Sequence, residues 1–339
     1  MIYGHGDDLW RYAGKVKHNF STNIHSAFDH RDLMKAIAAS VDAVTAYPEP
    51  EPLAVERAVA ELHNALPEQV MVANGATEAI YLIAAEFSSC KSAIVVPTFR
   101  EYQDAAILHG HEVCYVGSLD DIPADADLVW LCNPNNPTGE VVEKSVLLRV
   151  IAENRDKIFI VDQAYSDYTL LPVLTTADAL EAGNVILLGS LTKRFAVPGL
   201  RIGYAVGCRE LMDLIKRRRM PWSVNGVSMA AALYLLGNIY DYKIDSALLH
   251  SEALRLSAAL SECGIKVRPT DCNFILCELP QGNAWQLKEY LIQEAGILIR
   301  DASNFEGLDK RNFRVAAQTP EENDMLIENI KRWIDKERT

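Results

Sequence analysis

No run in this 339-residue sequence approaches the roughly twenty consecutive apolar residues that a membrane-spanning helix needs. Its opening, "MIYGHGDDLW", has early acids and no apolar segment, so no secretory leader is expected there. Basic charge is also scarce: 33 lysines and arginines against 46 aspartates and glutamates leave a net charge of -13. General binders of nucleic acid or of anionic membranes need a basic footprint, and this deficit argues against both. The seven cysteines are odd in number, scattered and never spaced CxxC, which argues against a zinc ribbon or a disulfide framework. A reducing cytoplasm and no bound metal are therefore expected. Internal repeats, low-complexity tracts and linkers rich in Pro, Gly and Ser are lacking too. The local exception to the acidity, Lys216-Arg217-Arg218-Arg219, reads as a solvated helix end.

What the chain does have is apolar bulk. With 49% hydrophobic and 23% charged residues it can build a large core and more than one domain. From about residue 70 to 207, short apolar runs alternate with helical stretches in the rhythm of βα units: "VMVANG", "SAIVVP", "EVCYVG", "ADLVWLCNP", "KIFIVDQAY", "NVILLGS" and "LRIGYAVG". Most are nearly continuous in apolar residues, as parallel strands buried on both faces are. Ligands bind beyond the carboxyl ends of such strands. There the sequence places Asn74-Gly75, Asn133 to Gly139, Asp162 and Lys193. Residues 227 to 262 predict one or two long helices. After them "KVRPTDCNFILCEL", "NAWQLKEYLIQEAG", "ILIRD", "NFRVAAQ" and a charged last helix predict a smaller α/β unit, with which the first forty-odd residues pack. The expected division is a large unit at 45–240 and a small one built from 1–44 and 241–339.

Four stretches bear chemistry, each with an ordinary structural alternative. Lys193, directly after an apolar run, either snorkels to solvent or has lost its charge to chemistry, because a lysine is almost never fully buried unpaired. "CNPNNPTG" (132–139) is a rigid turn or a plain loop. "VDQAY" (161–165) sets a carboxylate at a strand end with a phenol three residues on, or simply caps a helix. "NGATEA" (74–79) offers helix N–H groups to a phosphate, or a capping box.

In this order the stretches resemble the class I/II aminotransferase family of pyridoxal-phosphate enzymes, through nearly the whole chain. The resemblance implies fold type I: an α/β large domain with a mostly parallel sheet wrapped by helices, plus a smaller α/β domain. It implies pyridoxal 5'-phosphate as cofactor, held covalently by Lys193 of "SLTK". Asp162 would pair with the pyridine nitrogen, Tyr165 and Asn136 would bond the ring oxygen, and Phe99 of "PTFREY" would stack on the ring. Gly75, Ala76, Thr77, Ser190, Thr192 and Arg201 would surround the cofactor phosphate. Tyr47 of "AYPEPEP" would reach the phosphate in a neighbouring subunit, which implies a homodimer with shared sites. Arg314 of "NFRVA" would bind the substrate carboxylate.

Two branches of the family compete, and both take a small phosphorylated amino compound. "RRRMPWSVN" (217–225), "GILIRDASNFEGLDKRNFRVA" (296–316), "GHGD" and "FSTNI" are more similar to the threonine-phosphate decarboxylases than to the histidinol-phosphate aminotransferases. That likeness implies a substrate phosphate held by His5, Asn23 and Arg300, with part of the Lys216–Arg219 run nearby. After Ile24, "HSAFDH" departs from the family's pattern. A cofactor-binding sensor without turnover is the alternative from outside enzymology, and a complete set of Lys193, Asp162, Tyr165 and Arg314 weighs against it.

Overall fold

Seven of the apolar runs become the strands of one sheet: β1 (Val70–Ala73), β2 (Lys91–Val95), β3 (Glu112–Val116), β4 (Leu128–Cys132), β5 (Ile158–Asp162), β6 (Val185–Gly189) and β7 (Gly203–Gly207). The computed structural model describes residues 7–12, 14–24 and 28–338. Strand order is β1-β7-β6-β5-β4-β2-β3, and only β7 runs against the others. Alternate residues serve the two faces. Trp130 and Ile160 pack with Ile80 and Ile83 on one side, whereas Val129, Leu131, Phe159 and Val161 pack with Leu147 and Ile151 on the other. Covering both faces is why these runs read as continuous rather than alternating.

A second, antiparallel sheet is made of β8 (Lys266–Val267), β9 (Phe274–Glu278), β10 (Arg300–Asp301) and β11 (Asn312–Ala316), in the order β10-β11-β9-β8. The helices Ser246–Glu262, Ala284–Ala295 and Pro320–Arg338 cover it. Their Leu256, Leu260, Leu287, Leu291, Ile330 and Ile334 share a core with Ile275, Cys277, Phe313 and Val315. "ILIRD" is divided at Ile299. Ile297–Leu298 pairs in parallel with His18–Asn19, and Arg300–Asp301 pairs with β11. The region after 226 forms two helices, Gly226–Gly237 and Ser246–Glu262, each started by a side-chain cap, from Asn225 to Ser228 N and from Asp245 to Leu248 N.

The amino-terminal segment joins both cores. Phe20 N donates to Leu298 O and Phe20 O accepts from Ala316 N, which delivers residues 21–24 to the space between the sheets. Leu33, on the helix Arg31–Ala39, packs with Val55, Val59 and Phe195. No helix among the described residues is long and apolar enough to cross a membrane.

Candidate active site

The carboxyl edge of the large sheet is where its motifs converge. Asp162 ends β5 and stands in register with Cys132, which ends β4. Since β7 is reversed, its amino end shares that edge, and Arg201 just before it faces the start of the helix Gly75–Glu86. A cleft of about 490 Å³ opens here, walled on its far side by Ser21, Thr22, Arg300 and Arg314.

Lys193 lies on a four-residue helix, Leu191–Arg194, that follows β6 through Ser190. Its backbone carbonyl accepts the Tyr168 hydroxyl at 2.9 Å, and Nζ donates to Thr22 O at 3.2 Å. Burial, then the charges of Arg314 and Arg201, lower its pKa to about 8, against the opposing pull of Asp7 and Asp162. The amine is therefore available as a nucleophile close to neutral pH.

Asp162 is buried, which raises its pKa, while Tyr102, the Ala164 N–H and Lys193 work the other way. Its Oδ1 accepts from Ala164 N at 2.8 Å and its Oδ2 accepts from the Tyr102 hydroxyl at 2.7 Å. Tyr165 is also buried, pushing its phenol pKa up, and Arg314 opposes this. The Arg314 guanidinium donates to Asn136 Oδ1, so the Asn136 amide nitrogen is turned elsewhere as a donor. The turn bearing Asn136 is tied down by Asn135, whose Nδ2 donates to Pro97 O at 2.9 Å and whose Oδ1 accepts from Thr98 Oγ1 at 3.0 Å. Phe99, in the loop so anchored, lines the cleft.

An anion cradle occupies one end. Gly75 has φ +82°, and a Cβ there would fall 2.6 Å from Arg201 Nη2. A Cβ on Gly203 would fall 2.3 Å from Ala76 N, so β7 and the helix start can meet only through glycines. Ala76, Thr77, Ser190, Thr192 and Arg201 all face the cleft. Helix N–H groups, hydroxyls and a guanidinium around a space that glycine keeps open fit a phosphate. With a nucleophilic lysine and a buried carboxylate alongside, the donor set fits pyridoxal phosphate.

At the opposite end, Arg300 and Arg314 are cross-strand partners on β10 and β11. Both are buried, and burial lowers each pKa to about 10, the charge of Arg314 adding to the effect on Arg300. Arg314 Nε is buried without a hydrogen-bond partner, and Nη2 donates to Ser21 O at 2.5 Å. Arg300 Nη2 donates to Asn304 Oδ1 at 2.6 Å.

Several expected residues sit elsewhere. Asn23 does not line the cleft itself, although Thr22 and Ile24 do; its φ is +55°, and its side-chain amide is buried beside Tyr165, where it favours the ionised phenol. Tyr47 is 86% exposed and lies against Trp222, ring centroids 5.3 Å apart. His5 lies outside the described residues. The Lys216–Arg219 run lies outside the cleft; it does end a helix, Arg209–Lys216, with Arg217 and Arg218 exposed, but the reading of it as solvated needs correcting for Arg219, which is buried, and Lys216, which is half-buried. Arg219 is buried against Glu56 at 2.6 Å, Lys216 reaches the same carboxylate at 3.2 Å, and Arg218 pairs with Glu86 at 2.7 Å. Glu56, on a distant helix, draws Arg219 and Lys216 inward. Conversely, Asp7, Arg100, Tyr102, Asn304 and Phe305 line the cleft without having been singled out in the sequence. For Tyr102 a signal existed, since it stands one helical turn beyond Phe99.

Comparison with known proteins fixes what this arrangement belongs to. The model of the family "Aminotransferase class I and II" matches residues 15–330. The chain belongs to this family. It is a pyridoxal-phosphate-dependent enzyme with the fold type I architecture. It is similar to the histidinol-phosphate aminotransferase of Thermoanaerobacter pseudethanolicus, with 31% identity over 86% of this chain and 85% of that one. To the threonine-phosphate decarboxylase of Salmonella typhimurium it is 29% identical over 93% of this chain and 91% of that one. Among solved structures, the L-threonine-O-3-phosphate decarboxylase from Porphyromonas gingivalis matches with TM-score 0.92 and 31% identity, covering 94% of this chain and all of that one.

Proposed function

We propose that this enzyme decarboxylates L-threonine-O-3-phosphate to aminopropanol phosphate. The observation that supports this reading is the cross-strand pair Arg300–Arg314. Like charges directly opposite on neighbouring strands repel, and burial adds to the cost. A ligand with two anionic groups relieves both guanidiniums at once. Threonine phosphate brings a carboxylate and a phosphate in one small molecule.

In this reading Arg314 holds the carboxylate in its planar fork and Arg300 the phosphate, with His5 as a further phosphate ligand; Asn23, buried behind the cleft wall between Thr22 and Ile24, would join them only by turning its side chain into the cleft. Lys193 carries the cofactor and Asp162 keeps a proton on its ring nitrogen. Phe99 stacks on the ring, and Tyr165 with Asn136 bonds its oxygen. Gly75, Ala76, Thr77, Ser190, Thr192 and Arg201 hold its phosphate. Bound there, pyridoxal phosphate supplies an electron sink for the pair left at Cα. The arginine pair would orient the substrate by its two anionic groups, and so would decide which group on Cα is placed to leave, in this reading the carboxylate. Carbon dioxide would leave from that carboxylate, and Lys193 Nζ, once the substrate amine has displaced it from the cofactor, would hold the proton that Cα receives. Residues 45–240 would form the cofactor-holding domain and 1–44 with 241–339 the smaller one, except that the helix Arg31–Ala39 packs on the larger domain through Leu33. Exposed Tyr47 would serve the cofactor phosphate of a second subunit in a homodimer, with the cytoplasm as its compartment.

Incubation with L-threonine-O-3-phosphate and no keto acid tests the reaction: carbon dioxide and aminopropanol phosphate are expected. Transamination of histidinol phosphate with 2-oxoglutarate, without carbon dioxide from threonine phosphate, would replace this reading with the aminotransferase one.

A further inference from the structure

Behind Asp162 runs a line of buried polar groups that the roles above leave unused. Tyr102 donates to Asp162 Oδ2 at 2.7 Å. Its ring stacks on Trp130, centroids 5.7 Å apart and planes 19° from parallel, and meets Phe99 edge-on at 5.7 Å. Trp130 Nε1 donates to Ser92 Oγ at 3.1 Å, and that oxygen is 2.8 Å from His111 Nδ1. His111 Nε2 is 2.8 Å from the carbonyl oxygen of Ala84. A carbonyl only accepts, so His111 Nε2 carries a proton, and in the tautomer with a single ring proton Nδ1 accepts. Ser92 then donates to His111 and accepts from Trp130. Every polar atom in the line has one consistent role, and Tyr102, Trp130, Ser92 and His111 are all buried. A fully satisfied buried network of this kind is rigid.

The groups facing Asp162 come from four elements: Tyr102 from the helix Glu101–Leu108, Cys132 from β4, Tyr165 from the turn after β5, and Lys193. Burial pushes the Cys132 thiol and the Tyr165 phenol up, so both are neutral near pH 7. Among the described residues, Tyr102 is the side chain that hydrogen-bonds the carboxylate. A buried carboxylate without donors takes up a proton instead of staying charged.

We propose that Tyr102 is a positioning residue for the reaction: it aims the Asp162 carboxylate at the cofactor's ring nitrogen and supplies the hydrogen bond that lets this buried group remain an anion. The inference rests on the reading of Asp162 as that nitrogen's partner. A donor to the ionised form lowers a carboxyl pKa, so removing it raises the pKa. The anion is then lost at a higher pH, and turnover that depends on it fails sooner as the pH falls.

The test compares holoenzymes. Tyr102→Phe keeps the ring and its stacking while deleting the hydroxyl. We expect kcat to fall about tenfold, KM for threonine phosphate to change less than twofold, and the acid limb of kcat to move up by about one pH unit, a tenfold change in ionisation. Apart from turnover, nitrogen-15 NMR with ring-labelled pyridoxal phosphate should show less pyridinium at neutral pH than in the unaltered enzyme. Ser92→Ala loosens the same wall without touching Asp162, and should lower thermal stability but leave the acid limb in place. An unmoved limb and nitrogen signal in Tyr102→Phe would overturn the proposal, as would an equal shift in Ser92→Ala. If Asp162→Asn left the nitrogen signal unchanged, the reading of Asp162 itself would fall instead.

Discussion

Arg201 Nη2 occupies the place that a side chain at Gly75 would need, 2.6 Å from where its Cβ would stand. The guanidinium and the helix start therefore exclude any residue but glycine unless Arg201 moves. With φ +82° the backbone itself also disfavours a replacement. Gly75→Ala should leave a folded protein whose affinity for pyridoxal phosphate is at least about tenfold weaker, roughly 1.4 kcal/mol. Cofactor titration of the apoprotein measures this, and an unchanged Kd would remove Arg201 from the cradle.

For Lys193 the expectation concerns pH. Its pKa of about 8 is below that of an ordinary lysine, because burial and two arginines disfavour the charged form. The reactive neutral amine therefore grows about tenfold per unit as the pH rises toward that value. Initial rates of cofactor uptake by apoprotein should climb from pH 6 to 7 and level off above about 8. Borohydride should then fix the cofactor to Lys193 and to no other residue. A rate flat across that window, or covalent capture in a Lys193→Ala chain, would be inconsistent with this assignment.

Arg300→Lys preserves the charge and loses the planar fork. KM for the phosphorylated substrate should rise by about tenfold or more, with the cofactor spectrum unchanged. A normal KM in this variant would argue that the phosphate binds elsewhere.

Glu56 takes two cations, Arg219 and Lys216, while itself buried. Removing its charge strands a buried guanidinium and should cost about 3 kcal/mol. Glu56→Gln is thus expected to melt several degrees lower, yet to keep the kcat of the folded enzyme because the cluster lies outside the cleft. Calorimetry showing no change in Tm would mean that Glu51, 3.3 Å from Arg219, compensates fully.

Tyr47 gives an assembly test. If it serves a second subunit, mixing inactive Tyr47→Phe and Lys193→Ala chains should yield hybrid dimers with one unaltered site and recovered activity. Proven exchange without recovery would show that the sites are not shared.

The large sheet was legible because strands buried on both faces must be apolar throughout; each of the seven runs proved to be a strand, although the edge strand Glu112–Val116 is only partly covered. Lys193, Asp162 and the "CNPNNPTG" turn were legible because polar residues at the carboxyl ends of such strands have few ordinary reasons to be there. In the Lys216–Arg219 run the helix end was legible, but the inward turn of Lys216 and Arg219 was not, because their partner Glu56 is about 160 residues away in sequence and a charge cluster shows nothing of what it faces. The division of "ILIRD" was hidden for a similar reason: a change of pairing partner leaves no mark on five apolar and charged residues. Tyr102 was overlooked since a buried tyrosine looks like any core aromatic until the helix turns it toward Asp162.

The reversal of β7 has a consequence for anyone seeking to redesign this enzyme. It lets one segment of about a dozen residues, Ser190 to Arg201, bear both the nucleophilic lysine and the guanidinium of the cradle, so the two attachments we assign to the cofactor form a single cassette. Arg300 and Arg314 belong to the other sheet. Libraries varied on β10, β11 and residues 21–24 could explore new substrates while the cassette is left untouched.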